Sequence, residues 1–319
     1  MKHNKRYVLS LIALFALCSV ILTGCKAVSL TPPSFGNKQV TKKAKDKLKV
    51  GVSLSTLSNP FFVSLRNGIN DVAKKNGTTT EVFDAQNDSS KQSSDIEDLI
   101  QKKVDVIIIN PVDSDAIVPA VKDANNAGIP VIACDRGSNG GKLLTTVASD
   151  NVKAGQMAAD YMKSKLPKNA PVAVLEGTPG ADAAIQRGKG FDQHAKNYLK
   201  VITKQSADFD RAKGLSTMEN VLQAHSDIQG VFAQNDEMAL GAVKAINNPS
   251  MVVVSIDGEP QGLTAVKQGK ISGDIAQSPK VEGELAIKAA YKHYEGKKVA
   301  KNIASPIHLV TKENVDQYR

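Results

Sequence analysis

Residues 49–84 read KVGVSLSTLSNPFFVSLRNGINDVAKKNGTTTEVFD, and this stretch decides the fold because it contains a complete strand–helix–strand unit. Its two β-branched runs, Lys49–Leu54 and Thr80–Asp84, predict strands. Between them, Asn59 and Pro60 predict the start of a helix, because Asn caps a first turn and Pro suits the first helical position. The helix has one apolar stripe, formed by Phe62, Leu65, Ile69 and Val72. This arrangement is typical of a parallel sheet covered by helices.

The same alternation of short apolar runs and amphipathic stretches continues along the chain. Further strands are predicted at Asp105–Asn110, Pro130–Asp135, Leu144–Ala148, Pro171–Glu176, Lys200–Lys204, Gly230–Gln234, Met251–Asp257 and Ser272–Ala276. The alternation of predicted strands and helices is interrupted at the turn-rich residues 136–141, RGSNGG. We expect the chain to pass from one domain to another there. The predicted fold class is therefore α/β, with two doubly wound lobes that each have a parallel sheet.

The composition indicates a globular chain with a basic N-terminal segment. The chain has 319 residues, 41% of them hydrophobic and 4% aromatic, which is enough for two ordinary domains. Its net charge of +9 lies in the first 49 residues, which contain ten Lys or Arg and one acid. From Val50 onward, 31 basic and 31 acidic side chains balance, so we expect no nucleic-acid partner.

The N-terminal segment predicts export and a lipid anchor. Residues 1–6, MKHNKR, are basic and precede a long uncharged apolar run, which is the pattern of a signal peptide. The run also approaches the shortest length of a membrane-spanning helix, so a permanent membrane anchor is the alternative. Residues 22–25, LTGC, resemble the lipobox of bacterial lipoproteins, in which the Cys sulfur carries a diacylglycerol. We therefore predict a signal peptide at 1–24, lipidation of Cys25 and a basic, flexible tether at 25–47.

Polar side chains cluster directly after predicted strands. The carboxyl ends of parallel strands meet at one edge of a sheet, where open α/β folds bind ligands. The residues at these positions are Ser55, Asn59, Asp135, Arg136, Asn235, Asp257 and Gln277. Asp135 and Asp257 follow apolar runs, and a buried charge is unfavourable unless it is paired. A ligand with many hydroxyl groups would supply such partners.

The residue types at these positions suit a sugar. Sugar hydroxyls both donate and accept hydrogen bonds, which matches carboxylates, guanidinium groups and amides, while sugar C–H faces pack on aromatic rings. Phe62 is in phase with the apolar stripe, whereas Phe61 points about 100° away and is the better candidate to face a ligand. Charge-assisted hydrogen bonds of this kind allow tight binding without a metal ion or cofactor.

Longer motifs around these positions resemble the periplasmic sugar-binding proteins of the ribose-binding type, which serve ABC importers. The resemblance covers about Lys49 to Val310. It is carried by residues 55–65 (STLSNPFFVSL), 109–115 (INPVDSD), 148–152 (ASDNV), 207–211 (ADFDR) and 232–241 (FAQNDEMALG). It implies a type I periplasmic binding protein fold, in which three strands form a hinge between the lobes. The implied lobes are residues 48–149 with 278–304 and residues 150–277 with 305–319.

Carried over residue by residue, the resemblance implies a sugar-binding site. The implied hydrogen-bonding residues are Ser55, Asn59, Asp135, Arg136, Arg187, Asn235, Asp257 and Gln277, and the implied ring contacts are Phe61, Phe62 and Phe209. One departure is Ile256, because the ribose-binding pattern has an aromatic residue before the aspartate of this strand. We expect a wider pocket there, so D-ribose is the favoured sugar and another aldose or pentose is the alternative.

The resemblance implies that the chain captures a sugar outside the cytoplasm. The protein would be a monomeric lipoprotein, anchored through Cys25 to the outer face of the cell membrane, that delivers the sugar to an ABC permease. It would use no cofactor and no metal ion. Docking of its closed form to a membrane sensor remains open as an additional role.

Two other classes of protein fit the sequence less well. An enzyme is disfavoured because His194, His225, His293 and His308 do not follow strands beside a nucleophile, and the HExxH, CxxC and GxxxxGK[ST] motifs do not occur. A sugar-responsive transcription repressor with this two-lobed fold would need a helix-turn-helix before residue 49, where the leader and tether lie.

Overall fold

A computed structural model of the protein describes residues 41–318. The predicted signal peptide at 1–24, the predicted lipidation site Cys25 and most of the predicted tether lie outside the described residues. Within residues 41–318, none of the helices combines the length and the hydrophobicity that a membrane span needs.

The first sheet has six strands, and all of its neighbouring strands are parallel. They are β1 (Lys49–Leu54), β2 (Thr79–Asp84), β3 (Val106–Asn110), β4 (Val131–Cys134), β5 (Leu143–Ser149) and β11 (Asn302–Ser305), in the order β11-β5-β4-β3-β1-β2. Helices α1 (Pro60–Lys75) and α9 (Pro279–Tyr294) pack on one face, and α2 (Ser89–Gln101) and α3 (Val118–Asn126) pack on the other. Because both faces are covered, β3 is apolar along nearly its whole length.

The second sheet repeats this arrangement with one reversed strand. Its strands are β6 (Pro171–Glu176), β7 (Lys200–Ser206), β8 (Gly230–Ala233), β9 (Val252–Asp257), β10 (Gly273–Ala276) and β12 (His308–Val310), in the order β12-β10-β9-β8-β6-β7. Helices α4 (Asn151–Lys165) and α5 (Asp182–Ala195) pack on one face. Helices α6 (Arg211–Ala224), α7 (Asp236–Ala242) and α8 (Pro260–Lys267) pack on the other.

The chain crosses between the two sheets at three short connections. These are Asp150 between β5 and α4, residues 277–278 between β10 and α9, and residues 306–307 between β11 and β12. We call them the three crossings. The lobe boundaries implied by the resemblance remain a prediction, but the two sheets and the α/β fold class are as predicted.

One strand of the second sheet, β12, departs from the parallel arrangement. This strand pairs antiparallel with β10, with Ile275 opposite Leu309. The parallel strands of both sheets end at the cleft between them. Because only two residues separate β11 from β12, β12 enters the second sheet from the cleft and runs in the opposite direction.

Local sequence signals gave accurate element bounds. The strands β1 and β6 have the predicted bounds, and the other predicted strands differ by one or two residues at one end or by one residue at both ends. The Asn59 side chain accepts a hydrogen bond from the Phe61 amide at 2.8 Å, which confirms the predicted helix cap. β11 was not predicted, because this short edge strand has few apolar residues.

The last residues of the predicted tether belong to the folded part. Lys43 Nζ lies 2.7 Å from the Asp105 carboxylate, and Lys45 Nζ lies 3.3 Å from that of Glu295. Residues Lys45–Lys47 form a short 3₁₀ helix, and Leu48 is buried. The prediction of a flexible tether up to residue 47 is therefore wrong at its C-terminal end, because two of its lysines form ion pairs with the domain.

Candidate ligand-binding site

A small cavity lies where the carboxyl ends of the two sheets face each other. Its empty volume, which includes space open to solvent, is about 250 Å³. Its lining residues are Asn59, Phe61, Phe62, Asp135, Arg136, Ala183, Arg187, Phe209, Asn235 and Asp257. Nine of the twelve predicted sugar-binding residues therefore lie around one cavity. They come from helices and loops that follow strands of both sheets, as ligand sites in open α/β folds do.

Asp135 and Arg136 form a buried pair directly after β4. Asp135 Oδ2 lies 3.6 Å from Arg136 Nε, and both residues are only 4% exposed. Asn110 at the end of β3 donates to Asp135 Oδ2 at 3.0 Å. Burial raises the pKa of Asp135, and the positive charges of Arg136 and Arg187 oppose that rise. The Asp135 backbone has a φ of +65°, an uncommon conformation for a residue with a side chain, which aims the carboxyl group into the cavity region.

Arg136 lies between two aromatic rings. Its guanidinium carbon is 5.1 Å from the centre of the Phe62 ring and 5.2 Å from that of Phe209. Arg136 Nη1 donates to the Pro111 carbonyl at 3.2 Å, whereas Nε has no hydrogen-bond partner within the described residues. A buried donor without a partner is unfavourable. Arg136 thus has hydrogen-bonding capacity left for a ligand.

The Phe209 ring needs the glycine at position 177. A Cβ atom on Gly177 would lie 2.0 Å from the tip of the Phe209 ring, which is far inside van der Waals contact. Phe209 itself has a φ of +58°. The missing side chain at Gly177 and the positive φ of Phe209 therefore both allow the ring to lie at the cavity.

Arg187 on α5 is held by three hydrogen bonds. Its Nε donates to Asn151 at 2.8 Å, Nη1 donates to the Gln234 carbonyl at 2.6 Å, and Nη2 donates to Gln277 Oε1 at 2.7 Å. Its Nη1 also lies 3.7 Å from Asp257 Oδ1. A guanidinium group has five N–H donors, so two are left for a ligand.

Asp257 ends β9 in a conformation that few side chains adopt. Its φ is +141°, and the residue is 4% exposed. Burial raises its pKa well above the usual value, Arg187 opposes the rise, and the nearby Asp236, Glu259 and Asp135 add to it. The cavity therefore brings this carboxyl group close to a cation without giving it a full ion pair.

Phe61 and Phe62 both line the cavity and both belong to the core. They are 3% and 4% exposed, and their rings meet edge to face with 5.3 Å between centres. The prediction that Phe61 faces the ligand is compatible with its position. Phe62 combines the two roles, because its ring packs in the core and also contacts Arg136.

Ser55, Ile256 and Gln277 are not among the residues that line the cavity. Ser55 Oγ already donates to Asn110 Oδ1 at 2.6 Å. Ile256 is fully buried among the core residues under α4 and α5, and its predicted contact with the sugar stays a prediction. Successive side chains of a strand point to opposite faces of the sheet, so Ile256 points to the face that α4 and α5 cover. Gln277 holds Arg187, and its Nε2 has no partner within the described residues.

Sequence reasoning missed two residues of this region. Asn110 connects Ser55 to Asp135, and its position at the end of β3 was a signal that could have found it. Ala183 lines the cavity from the first turn of α5. A small apolar residue on a helix carries no sequence signal of this kind.

The comparison with a family model covers most of the folded part. Residues 50–298 match the model described as a periplasmic binding protein domain.

Individual proteins match over most of their length. The ribose import binding protein of Bacillus subtilis is 51% identical over 302 residues, which cover 94% of this chain and 98% of the relative. That of Escherichia coli is 43% identical over 278 residues, 86% of this chain and 94% of the relative. A solved structure of an ABC transporter periplasmic solute-binding protein from Actinobacillus succinogenes, with bound D-allose, has a TM-score of 0.79. It is 33% identical, and the match covers 85% of this chain and all of that one.

Proposed function

Because this chain belongs to the periplasmic binding protein family and to its ribose-binding type, we propose that it captures D-ribose outside the cytoplasm and delivers it to an ABC permease. The chain is a binding protein and not an enzyme. The observation that carries the choice of ligand class is the cavity itself. Two carboxyl groups, two guanidinium groups, amides and aromatic rings surround the same small cavity. This set of groups matches a small polyol that has both hydroxyl groups and C–H faces.

In this proposal, both sheets supply partners to the same sugar. Asp135 and Arg136 at the end of β4 bind hydroxyl groups from one side, and Arg187, Asn235 and Asp257 bind them from the other. The Nε of Arg136, which has no hydrogen-bond partner within the described residues, is available as a further donor. The phenylalanine rings pack against the C–H faces. These polar groups are already buried before the sugar binds. Each hydrogen bond to a sugar hydroxyl therefore contributes more binding free energy than it would at an exposed site.

Contacts from both lobes also account for closure. A sugar that bonds groups on both sides of the cleft binds the closed form better than the open form, and it shifts the population by that difference in affinity. The described structure has the two sides in contact: the Ser114 amide donates to the Gly180 carbonyl at 3.0 Å, and the Gly137 amide donates to Asp182 Oδ2 at 2.9 Å. These bonds join the rims of the cleft. The permease would then recognise surfaces that only the closed form brings together.

Calorimetric titration with D-ribose tests the proposal. We expect saturable binding of one sugar per chain and a higher melting temperature with ribose, because a ligand that binds only the folded state stabilises it. A thermal-shift panel of pentoses, hexoses and cyclitols then ranks the alternatives. If another aldose or pentose raises the melting temperature more than ribose at equal concentration, that sugar is the ligand. If no sugar in the panel changes it, the proposed function is wrong.

We further propose that Cys25 anchors the mature chain to the outer face of the membrane. The support is the apolar leader followed by the LTGC sequence at residues 22–25. A monomer in contact with a permease, and in an additional role with a membrane sensor, is compatible with such an anchor. Replacement of Cys25 by Ala should release the protein into the medium or the periplasm, measured by fractionation. Retention of the variant on the membrane would refute the anchor and leave sugar binding untouched.

A further inference from the structure

Asp182, the first residue of α5, forms hydrogen bonds across the cleft and is not among the proposed sugar contacts. Its Oδ2 accepts a hydrogen bond from the Gly137 amide at 2.9 Å, and its own amide donates to Ser114 Oγ at 3.3 Å. Gly137 lies between β4 and β5, and Ser114 lies between β3 and α3, so both partners belong to loops of the first sheet. One residue on the side of the second sheet therefore bonds to two loops on the opposite side.

These two loops are connected to each other. The Asn139 amide donates to the Ser114 carbonyl at 2.8 Å, and Asn139 Nδ2 donates to Asp115 Oδ1 at 2.8 Å. Ser114 is fully buried. We call residues 113–115 and 137–139 the first rim and residues 180–182 the second rim. Because its two loops are bonded together, the first rim meets Asp182 as one unit.

The two rims approach each other so closely that position 180 requires a glycine. The Ser114 amide donates to the Gly180 carbonyl at 3.0 Å. A Cβ atom on Gly180 would lie 1.9 Å from Asp113 Oδ2, and the φ of Gly180 is +85°, which few residues with a side chain adopt. The three hydrogen bonds between the rims use no residue of the cavity lining. They therefore hold the cleft closed independently of the contacts to the sugar.

Asp182 contributes an acceptor to this contact. Its Oδ2 accepts from the Gly137 amide and also from Gln186 Nε2 at 3.2 Å. Its Oδ1 is buried and has no hydrogen-bond partner within residues 41–318. An Asn side chain at this position would keep both bonds through its carbonyl oxygen. An Ala side chain would leave the Gly137 amide without this acceptor, and a donor that loses its partner is unfavourable.

We propose that Asp182 is a positioning residue that latches the closed cleft and sets the rate at which the sugar is released. The bonds between the rims join the two sides of the cleft, so they form when the cleft closes and must break before it opens. Their free energy therefore slows dissociation, whereas the first encounter of the sugar with the open form does not involve them. The inference rests on the proposed function, because the sugar reports the opening of the cleft.

Stopped-flow kinetics with ribose, or with the panel sugar that binds best, tests the latch in Asp182→Ala and Asp182→Asn. Asp192→Ala is the matched control, because Asp192 lies on the same helix and pairs with Lys204 away from the rims. For Asp182→Ala we expect a dissociation rate constant about tenfold higher, the effect of one lost hydrogen bond, and an association rate constant within about twofold of the wild type. Asp182→Asn and Asp192→Ala should dissociate within about threefold of the wild type.

Three outcomes would overturn the latch. The first is a dissociation rate constant of Asp182→Ala within threefold of the wild type. The second is a tenfold effect that falls on association instead. The third is equal acceleration in Asp182→Ala and Asp182→Asn, which would show that the charge matters and the hydrogen bond to Gly137 does not.

Cross-linking of the sugar-free protein gives a readout that does not depend on the ligand. A Cβ atom on Gly137 would lie 3.0 Å from Asp182 Oδ2, which places the side chains of the double variant Gly137→Cys, Asp182→Cys within reach of a disulfide. Under mild oxidation we expect this disulfide to accumulate, detected by mass spectrometry of the linked peptides, because each closure is trapped. The control pair Gly137→Cys, Asp192→Cys should not cross-link.

The cross-linking result separates the latch from the proposed function. If the wild type binds no sugar of the panel, the proposed function fails, while cross-linking still decides whether Asp182 and Gly137 meet across the cleft. Absence of the disulfide in the double variant, or equal cross-linking of the control pair, would refute the latch.

Discussion

Replacement of Asp257 tests the proposed site most directly. The residue is 4% exposed, its carboxyl group accepts no hydrogen bond from residues 41–318, and it lies 3.7 Å from Arg187 Nη1. In Asp257→Ala, the sugar hydroxyls and Arg187 would lose their acceptor. Asp257→Asn keeps the shape and one acceptor but removes the charge.

The expected loss follows from the burial of the pair. A hydrogen bond to a charged group contributes about 1.5–3 kcal/mol, and leaving its partner unsatisfied in a buried site keeps the loss at the upper end. For Asp257→Ala we therefore expect about 3 kcal/mol, which is roughly a 150-fold rise in the dissociation constant, since 1.4 kcal/mol is about tenfold. Asp257→Asn should lose about tenfold. Because burial raises the pKa of Asp257 well above its usual range, the neutral amide should also raise the melting temperature of the ligand-free protein.

Isothermal calorimetry and thermal unfolding separate binding from folding. Asp192→Ala, which removes an exposed acid of α5 that pairs with Lys204, is the control for a general charge effect. A loss of less than about tenfold in Asp257→Ala, with the melting temperature unchanged, would refute the placement of the sugar against Asp257.

Three further predictions concern the same lobes. Arg136→Lys should weaken ribose binding by at least about tenfold in a calorimetric titration, because an ammonium group cannot lie flat between two rings and donate in two directions; unchanged affinity would place the sugar elsewhere. Gly177→Ala should weaken binding through displacement of Phe209 while Arg136 stays intact, and a crystal structure of the variant with an unmoved ring would disprove this reason. Burial raises the pKa of Asp274 to about 7, so the folded state holds a proton that the unfolded state releases near pH 4. The free energy of unfolding should therefore fall as the pH rises from about 4 to 7, and calorimetric scans of Asp274→Asn should show a shallower fall, whereas an equal slope in both proteins would contradict it.

The buried acids near the second sheet explain why Asp274→Asn should be tolerated. Asp236 and Asp274 are both fully buried, and burial raises the pKa of each carboxyl group. Asp274 Oδ1 accepts from the Gly258 amide at 3.1 Å, and Asp236 Oδ2 accepts from the Glu259 amide at 2.8 Å. The pair thus holds the loop that follows Asp257. An amide at position 274 keeps an acceptor for Gly258 and places no charge in this buried site.

Much of the candidate site could be predicted because the position of a residue relative to its own strand decides where that residue lies in the fold. A residue directly after a buried parallel strand reaches the carboxyl edge of its sheet, which placed Asp135, Arg136 and Asp257 correctly. The roles of Arg187 and Phe209 came only from the resemblance, because a helix charge and a loop aromatic have no distinctive spacing. The burial of Ile256 in the core has a physical reason as well. The side chain of a strand residue points to the face opposite to that of its neighbour, so a residue next to a site aspartate packs in the core.

The sequence by itself determined the alternation of strands and helices, the two sheets and the edge at which polar residues gather, because these follow from periodicity and from the geometry of parallel strands. The tertiary structure alone decided which partner each polar group meets: Arg136 between rings from two lobes, Arg187 between Asn151 and Gln277, and Glu282 beside Ser149. These partners are far apart along the chain, and their meeting depends on how the three crossings set the two sheets against each other. It also decided the direction of β12, since a two-residue connection across the cleft leaves that strand only one way to enter the second sheet.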